Sequence, residues 1–196
     1  MGFNVAIDGP AGAGKSTIAK AVARELNLIY VDTGAMYRAV ALYMLREGVD
    51  LADREKVIDK CPEAKVTIRY QAGIQVVFLN GENVNAFLRT EQVGEAASVI
   101  SPIPQGRKNM VALQKSLAAE SDCIMDGRDI GTCVLPDAQL KIYLTASSDV
   151  RARHRYDELA AKGEPCDFQK IKADIEDRDY RDMHREESPL RQAEDA

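Results

Sequence analysis

Short apolar runs that end in an acidic residue and a glycine recur along this chain. Val5-Ala6-Ile7 closes on Asp8-Gly9, Leu28 to Val31 closes on Asp32-Thr33-Gly34, and Cys123 to Met125 closes on Asp126-Gly127. Leu140 to Leu144 is a further run. Runs of this kind predict strands buried on both faces, as in a parallel sheet. Between the first two runs, Lys15 to Asn27 carries Ile18, Val22 and Leu26 at four-residue intervals. That spacing predicts a helix with these residues as its apolar stripe. A second helix is expected from about Ala35 to Glu47, with Gly48 just past its end. Strand, loop, helix, strand and helix in this order open an α/β fold with a parallel sheet.

The middle of the chain changes period. Val66 to Tyr70 and Ile74 to Leu79 alternate, are rich in β-branched residues, and are separated by Gln71-Ala72-Gly73. Asn80-Gly81 is a hairpin signal, because both residues tolerate positive φ. Residues 63–87 therefore predict a small antiparallel insert. Helical periodicity resumes near Glu91 and from about Gln105 to Ala119, with Pro102 and Pro104 marking the junction. Ser147 is a candidate N-cap for a basic helix reaching about Ala161. Gly163 to Pro165 interrupts it, and a last helix is expected from about Phe168 to Arg185.

Composition narrows the classes. The 196 residues suit one domain with an insert at roughly 150 residues per domain. Hydrophobic residues are 45% and charged residues 29%, an ordinary globular mix. The net charge of −5 disfavours binding to nucleic acid. There is no apolar run of the ~18 residues a membrane span needs, and the N-terminus lacks the features of a secretion signal. The 4 cysteines, Cys61, Cys123, Cys133 and Cys166, form no C-x-x-C pair and read as reduced thiols of a cytoplasmic protein.

The sharpest chemical signal is Gly9-Pro10-Ala11-Gly12-Ala13-Gly14-Lys15-Ser16, which fits G-x-x-x-x-G-K-[ST] between an expected strand and an expected helix. In that pattern, backbone N–H groups turn inward to cradle phosphate oxygens and the helix adds its positive end. Lys15 can reach the terminal phosphates, and the Ser16 hydroxyl can bind Mg²⁺. The bland alternative is a glycine-rich turn that binds nothing. Switch GTPases also carry the loop, but the chain lacks D-x-x-G and N-K-x-D.

Two further clusters end expected strands, where open α/β sheets bind ligands. Asp32-Thr33-Gly34 is followed by Arg38, and Asp126-Gly127-Arg128-Asp129 follows the third run. Asp126 is the candidate acid to hold Mg²⁺, directly or through water; its alternative is a turn residue at a strand end. Arg178, Asp182 and Arg185 share a helical face by spacing, as do Arg151 and Arg155. Arginines on two such helices could neutralise phosphates and close over a site, or could be solvated salt-bridged faces.

With these residues assembled, the chain resembles the bacterial-type cytidylate (CMP/dCMP) kinases along essentially its whole length. The segments that carry the likeness are IDGPAGAGKST, VDTGAMYR, NGENV…LRT, DGRDIGT and EDRDYRDMHREESPL. The resemblance implies an α/β P-loop NTPase three-layer fold with a parallel core sheet, an antiparallel insert in the monophosphate-binding domain, and a helical lid. It implies a core of residues 1–34 and 105–150, a CMP-binding region over 35–104, and a lid with flanking helices over 151–185. Gly9, Pro10, Ala11, Gly12, Ala13, Gly14, Lys15, Ser16 and Thr17 would hold the phosphates of ATP. Thr33, Arg38 and Arg128 would hold the CMP phosphate. Ser98, Arg107 and Asp129 would meet the cytosine edge, Arg178 and Asp182 the ribose, and Arg185 the phosphates. Arg155 would be a lid arginine on the ATP side. Lys15, Arg128, Arg155 and Arg185 would be the catalytic set, and Mg²⁺ would bind through Ser16 and Asp126.

The activity this implies is transfer of the γ-phosphoryl group of Mg·ATP to CMP or dCMP, in pyrimidine nucleotide metabolism, by a cytoplasmic monomer with neither nucleic acid nor membrane as partner. A carboxylate such as Asp129 accepts from the exocyclic amine of cytosine, whereas uracil would turn an oxygen toward it. The rival readings are another small-acceptor kinase and a nucleotide-binding module without turnover. Members of the family normally continue past the PLRQAEDA stretch into a further strand and helix, so four parallel strands rather than five are expected from this sequence.

Overall fold

The computed structural model describes residues 2–196. Its main sheet holds four parallel strands: β1 (Asn4–Asp8), β2 (Ile29–Asp32), β6 (Cys123–Gly127) and β7 (Leu140–Tyr143), in the order β2-β6-β1-β7. Alternate side chains leave opposite faces. Val5, Ile7, Tyr30 and Ile124 form one core cluster with Ala19 and Ala23, while Ala6, Val31, Cys123 and Met125 join the larger core on the other face. Helices cover both faces, giving three layers. In register, Asp32 lies opposite Asp126, and Asp8 opposite Gly127. The acidic ends of three apolar runs thus arrive together at the carboxyl edge of the sheet.

Helix α1 (Lys15–Leu26) forms where expected, but with a different face inward. Its buried residues are Lys15, Ala19 and Ala23, while Ile18 and Leu26 are exposed. Small alanines let the helix lie close against β1 and β6, and that approach outweighs the larger side chains of the expected stripe. Helix α2 (Thr33–Arg46) starts at Asp32, whose side chain accepts from the Ala35 N–H at 2.9 Å. Gly48 follows at φ 64°.

A short helix, α3 (Arg54–Lys60), precedes the insert; it spans too few residues to show a period, and only Val57 is buried. The insert itself is a three-stranded antiparallel sheet, β3 (Val66–Gln71), β4 (Ile74–Leu79) and β5 (Glu82–Asn83). Its turns, Ala72-Gly73 and Asn80-Gly81, have positive φ at both residues, the conformation a two-residue hairpin needs. The insert touches the main sheet through Gln75, which accepts from Asp32 N at 2.8 Å and donates to Asp32 O at 3.1 Å.

Helices α4 (Glu91–Ile100) and α5 (Pro104–Glu120) pack on α2. After β6 the chain makes one wide helical turn over Ile130–Val134, with Leu135 N donating to Ile130 O at 2.7 Å. Helices α6 (Ser148–Ala161) and α7 (Phe168–His184) form a pair. Ser147 caps α6 by accepting from Val150 N, as its position suggested. The chain beyond α7 folds back, with Leu190 buried and its N–H donating to Asp182 O at 2.8 Å. No helix among the described residues is long and apolar enough to cross a membrane.

Candidate active site

The loop between β1 and α1 turns at Gly9, where φ is 146° and an added Cβ would lie 1.9 Å from Leu144 O. No other residue fits there. Pro10, Ala11, Gly12 and Ala13 continue to Gly14, which sits at the N-terminus of α1 and offers no side-chain cap. The first turn, carrying Lys15, Ser16 and Thr17, therefore presents its positive end to the loop. Lys15 is buried, and its ammonium donates to Pro10 O at 2.7 Å. Burial, then nearby Arg128, pulls the Lys15 ammonium below its usual range, against Asp126, Asp8 and Asp182.

Ser16 Oγ donates to Asp126 Oδ2 at 2.7 Å, and Tyr30 Oη donates to Asp126 Oδ1 at 3.0 Å. Burial and then Asp32 push the Asp126 carboxyl up. A hydroxyl and a carboxylate in contact at the phosphate loop are hard oxygen donors. Mg²⁺ is typically held by one or two protein oxygens together with phosphates and water, so this pair fits it. Among the described residues no group of three His, Cys, Asp or Glu forms a fuller metal cage.

Beside the loop lies a cluster of arginines. Arg128 donates from Nε to Asp182 Oδ2 at 2.8 Å. Arg38 and Arg178 form no ion pair among the described residues, and Arg178 Nε is buried without a partner. Burial, then Arg128, brings Arg178 down to about 10. Arg38 is lowered by burial, with Arg89 and Arg128 adding to the effect against Asp32. Burial pushes the Asp182 carboxyl up, but Arg128, Arg178 and Arg185 outweigh it and hold it low. Thr33 Oγ1 donates to Asp126 O at 2.7 Å at the start of α2. The structure thus gathers Thr33, Arg38, Arg128, Arg178 and Asp182 in one region, where two of the three arginines make no ion pair among the described residues.

Next to it, Arg107 and Asp129 form a buried ion pair, and Arg185 Nη2 lies 3.5 Å from Asp129 Oδ1. Arg185 reaches it from just beyond α7, because the helix ends at His184. Ser98 Oγ is buried and without a protein partner.

Two side chains join this region that the sequence reading did not single out. The Arg107 guanidinium stands 5.6 Å from the Tyr37 ring centre, and Tyr37 Oη is buried without a partner. Burial pushes the Tyr37 hydroxyl up to about 12. Gln114 is fully buried with both amide atoms unpartnered. Its signal in the sequence is a polar residue in the buried stripe Arg107, Met110, Gln114 and Ala118 of α5.

The two arginines of α6 stand in different surroundings. Arg155 is not brought to the cluster; it makes an exposed pair with Glu158 at 3.0 Å. Arg151, one turn earlier, is buried. It donates to Ala11 O of the phosphate loop at 3.0 Å, to Ala146 O at 2.9 Å, and pairs with Asp179 of α7. The arginine contacting the loop is thus the one nearer the start of α6.

The family model and the curated relatives agree on family. A family model described as cytidylate kinase matches residues 5–196. A curated cytidylate kinase of Caldicellulosiruptor bescii is 48% identical over 194 residues, covering 99% of this chain and 86% of the relative. One of Streptococcus sanguinis is 48% identical over 195 residues, covering 99% and 87%. Among solved structures, a shikimate kinase from Bacteroides thetaiotaomicron aligns with a TM-score of 0.41 at 15% identity, over 89% of this chain and 76% of that one.

Proposed function

The chain belongs to the cytidylate kinase family, and from that premise we propose that it transfers the γ-phosphoryl group of ATP to CMP, giving CDP and ADP, with dCMP as a second acceptor. It is a nucleoside monophosphate kinase with the P-loop kinase arrangement of a parallel sheet, covering helices and an antiparallel insert. The observation that carries the reading is the placement of the arginine cluster beside the phosphate loop. Among the described residues Arg38 and Arg178 make no ion pair, Arg178 Nε is buried without a partner, and Arg128 is tied to Asp182. A second phosphate-bearing substrate would give these guanidinium groups a partner, which a module holding ATP alone has no need to accommodate.

Residues 9–17 bind the triphosphate, with Lys15 on its terminal oxygens. Arg38, Arg128 and Arg185 hold and neutralise the acceptor phosphate, with Thr33 at its edge, while Arg178 and Asp182 reach the ribose and Asp182 also fixes Arg128. Ser16 and Asp126 would hold Mg²⁺, which would offset phosphate charge during transfer. The acceptor phosphate is already anionic near neutral pH, so no strong general base is required. Catalysis comes from alignment and charge stabilisation in a site shielded from water. Residues 35–104 form the acceptor-binding region and 151–185 the lid. We place the reaction in the cytoplasm, carried out by a monomer without nucleic acid or membrane.

Ser98, Arg107 and Asp129 recognise cytosine: the carboxylate accepts from the amine, and the guanidinium and hydroxyl donate to the ring nitrogen and carbonyl. The decisive assay measures ADP release from Mg·ATP with CMP, dCMP, UMP, AMP or no acceptor. Release confined to CMP and dCMP is expected. Equal release with UMP or AMP would overturn the cytosine assignment, and none with any acceptor would overturn the kinase reading.

A further inference from the structure

Asp8 is the last residue of β1 and directly precedes Gly9, the first residue of the phosphate loop. Both of its carboxylate oxygens are engaged. Oδ1 accepts from Ile130 N at 2.8 Å, and Oδ2 accepts from Gly131 N at 2.7 Å. These are the first two N–H groups of the wide turn over Ile130–Val134, whose own preceding residue, Asp129, offers no side-chain cap. The cap comes instead from another strand, more than a hundred residues away in sequence.

Keeping a carboxylate here carries a cost. Asp8 is 5% exposed, and burial pushes its carboxyl up to about 6. The two backbone bonds and Lys15 act against that, while Asp129 adds to it. An apolar residue would continue the strand without the cost, so the cap is the feature this position provides.

Its location says what the cap can do. Arg128 and Asp129 lie immediately before the capped amides, and Asp129 has an irregular backbone, with φ −146° and ψ 23°. Arg128 belongs to the arginine cluster, and Asp129 to the buried pair with Arg107. The residue that starts the donor loop therefore holds the segment presenting two acceptor-side residues. In-line transfer is sensitive to misplacement of the two substrates by an ångström or less.

We infer that Asp8 is a positioning residue for phosphoryl transfer: by capping the Ile130 and Gly131 amides, its carboxylate sets Arg128 and Asp129 relative to the phosphate loop. The inference rests on the kinase reading above. The role asks no proton transfer of Asp8, only that its two oxygens hold the two amides.

The test is Asp8→Asn, which preserves size but leaves one oxygen to accept and turns an N–H₂ toward the other amide. Loss of such a bond to a charged group is on the order of a tenfold effect. Amide hydrogen exchange at Ile130 and Gly131 should quicken about tenfold or more in the unliganded variant. The KM for CMP should rise about tenfold, with the KM for ATP changing less than about twofold. Unchanged exchange at both amides, or an equal rise in both KM values, would overturn the inference. If Asp8→Asn does not fold, the wild-type protein decides it: scalar couplings across the hydrogen bonds from the Ile130 and Gly131 nitrogens to Asp8 Cγ are expected, and their absence overturns the cap. A wild type that releases no ADP with CMP would instead sink the kinase reading, while exchange and couplings would still report on the cap.

Discussion

Arg128 Nε donates to Asp182 Oδ2 at 2.8 Å, joining the loop after β6 to α7 across the arginine cluster. Asp182 is the main acidic counterweight on α7 to Arg128 and Arg178. Replacing it by alanine leaves those guanidinium groups to repel one another in a partly buried space. Asp182→Ala should lower Tm and raise the KM for CMP by about tenfold or more, since removing one partner of a buried pair costs about 3–5 kcal/mol. Added phosphate should recover more Tm in the variant than in the wild type. Thermal melts with and without phosphate check this, and equal phosphate shifts in both proteins would count against it.

Lys15 is proposed to act at the transferring phosphoryl group. Lys15→Ala should leave the fold intact, because the lost ammonium bonds only Pro10 O. Turnover should fall by about 10²–10³ or more, the loss expected for a charge-stabilising donor. Circular dichroism and single-turnover ADP formation test the two halves separately.

Asp129 is argued to read the base. Asp129→Ala should weaken CMP about 10²-fold or more relative to UMP, because the amine acceptor is gone and Arg107 is left unpaired. The ratio of kcat/KM for the two acceptors measures it. An unchanged ratio would remove the cytosine assignment.

Arg151 and Arg155 should separate cleanly. Arg151→Ala loses a buried pair and a bond to the phosphate loop, so Tm should fall and the KM for ATP should rise. Arg155→Ala removes an exposed pair, and its stability should stay within the ~0.5 kcal/mol typical of surface changes, with Tm little moved. Melting curves and ATP titrations of both variants make the comparison.

Stability should also carry a signature of Asp8. Its carboxyl is raised from 3.8 to about 6 in the folded chain, so the native state binds the proton more tightly than the unfolded state. Between those values the folded chain holds more protons, and this group's contribution to stability falls as pH rises. The penalty is absent below about pH 4 and complete above about pH 6, amounting to about 3 kcal/mol. Asp8→Asn lacks it, so the variant's stability relative to wild type should climb across that window. Urea denaturation of both proteins from pH 4 to 7 measures the difference.

Local information carried much of this protein. Uninterrupted apolar runs announced β1, β2 and β6, because strands buried on both faces need apolar residues throughout. Asn80-Gly81 announced the hairpin, because few residue pairs accept positive φ twice. The phosphate loop could be read because glycine is required where backbone must turn and approach ligand. The short helix α3 left no such trace, since less than two full turns show no period.

What lay beyond the sequence were relations between distant segments. Periodicity named Ile18, Val22 and Leu26 as the apolar stripe of α1, but the closeness of the sheet chose Ala19 and Ala23. Spacing placed Arg151 and Arg155 on one face, but only the position of α6 over the loop put Arg151 on Ala11 O and left Arg155 with Glu158. Gln114 and Tyr37 meet the Arg107 and Asp129 region because α2 and α5 pack together. The amides that Asp8 caps belong to a turn far along the chain, brought beside it by β1 pairing with β6. Residue type and spacing set which local structures and which phosphate chemistry this chain can form. Which cations face which carboxylates depends on long-range packing, because charge and hydrogen bonding act across space and no periodic pattern encodes them.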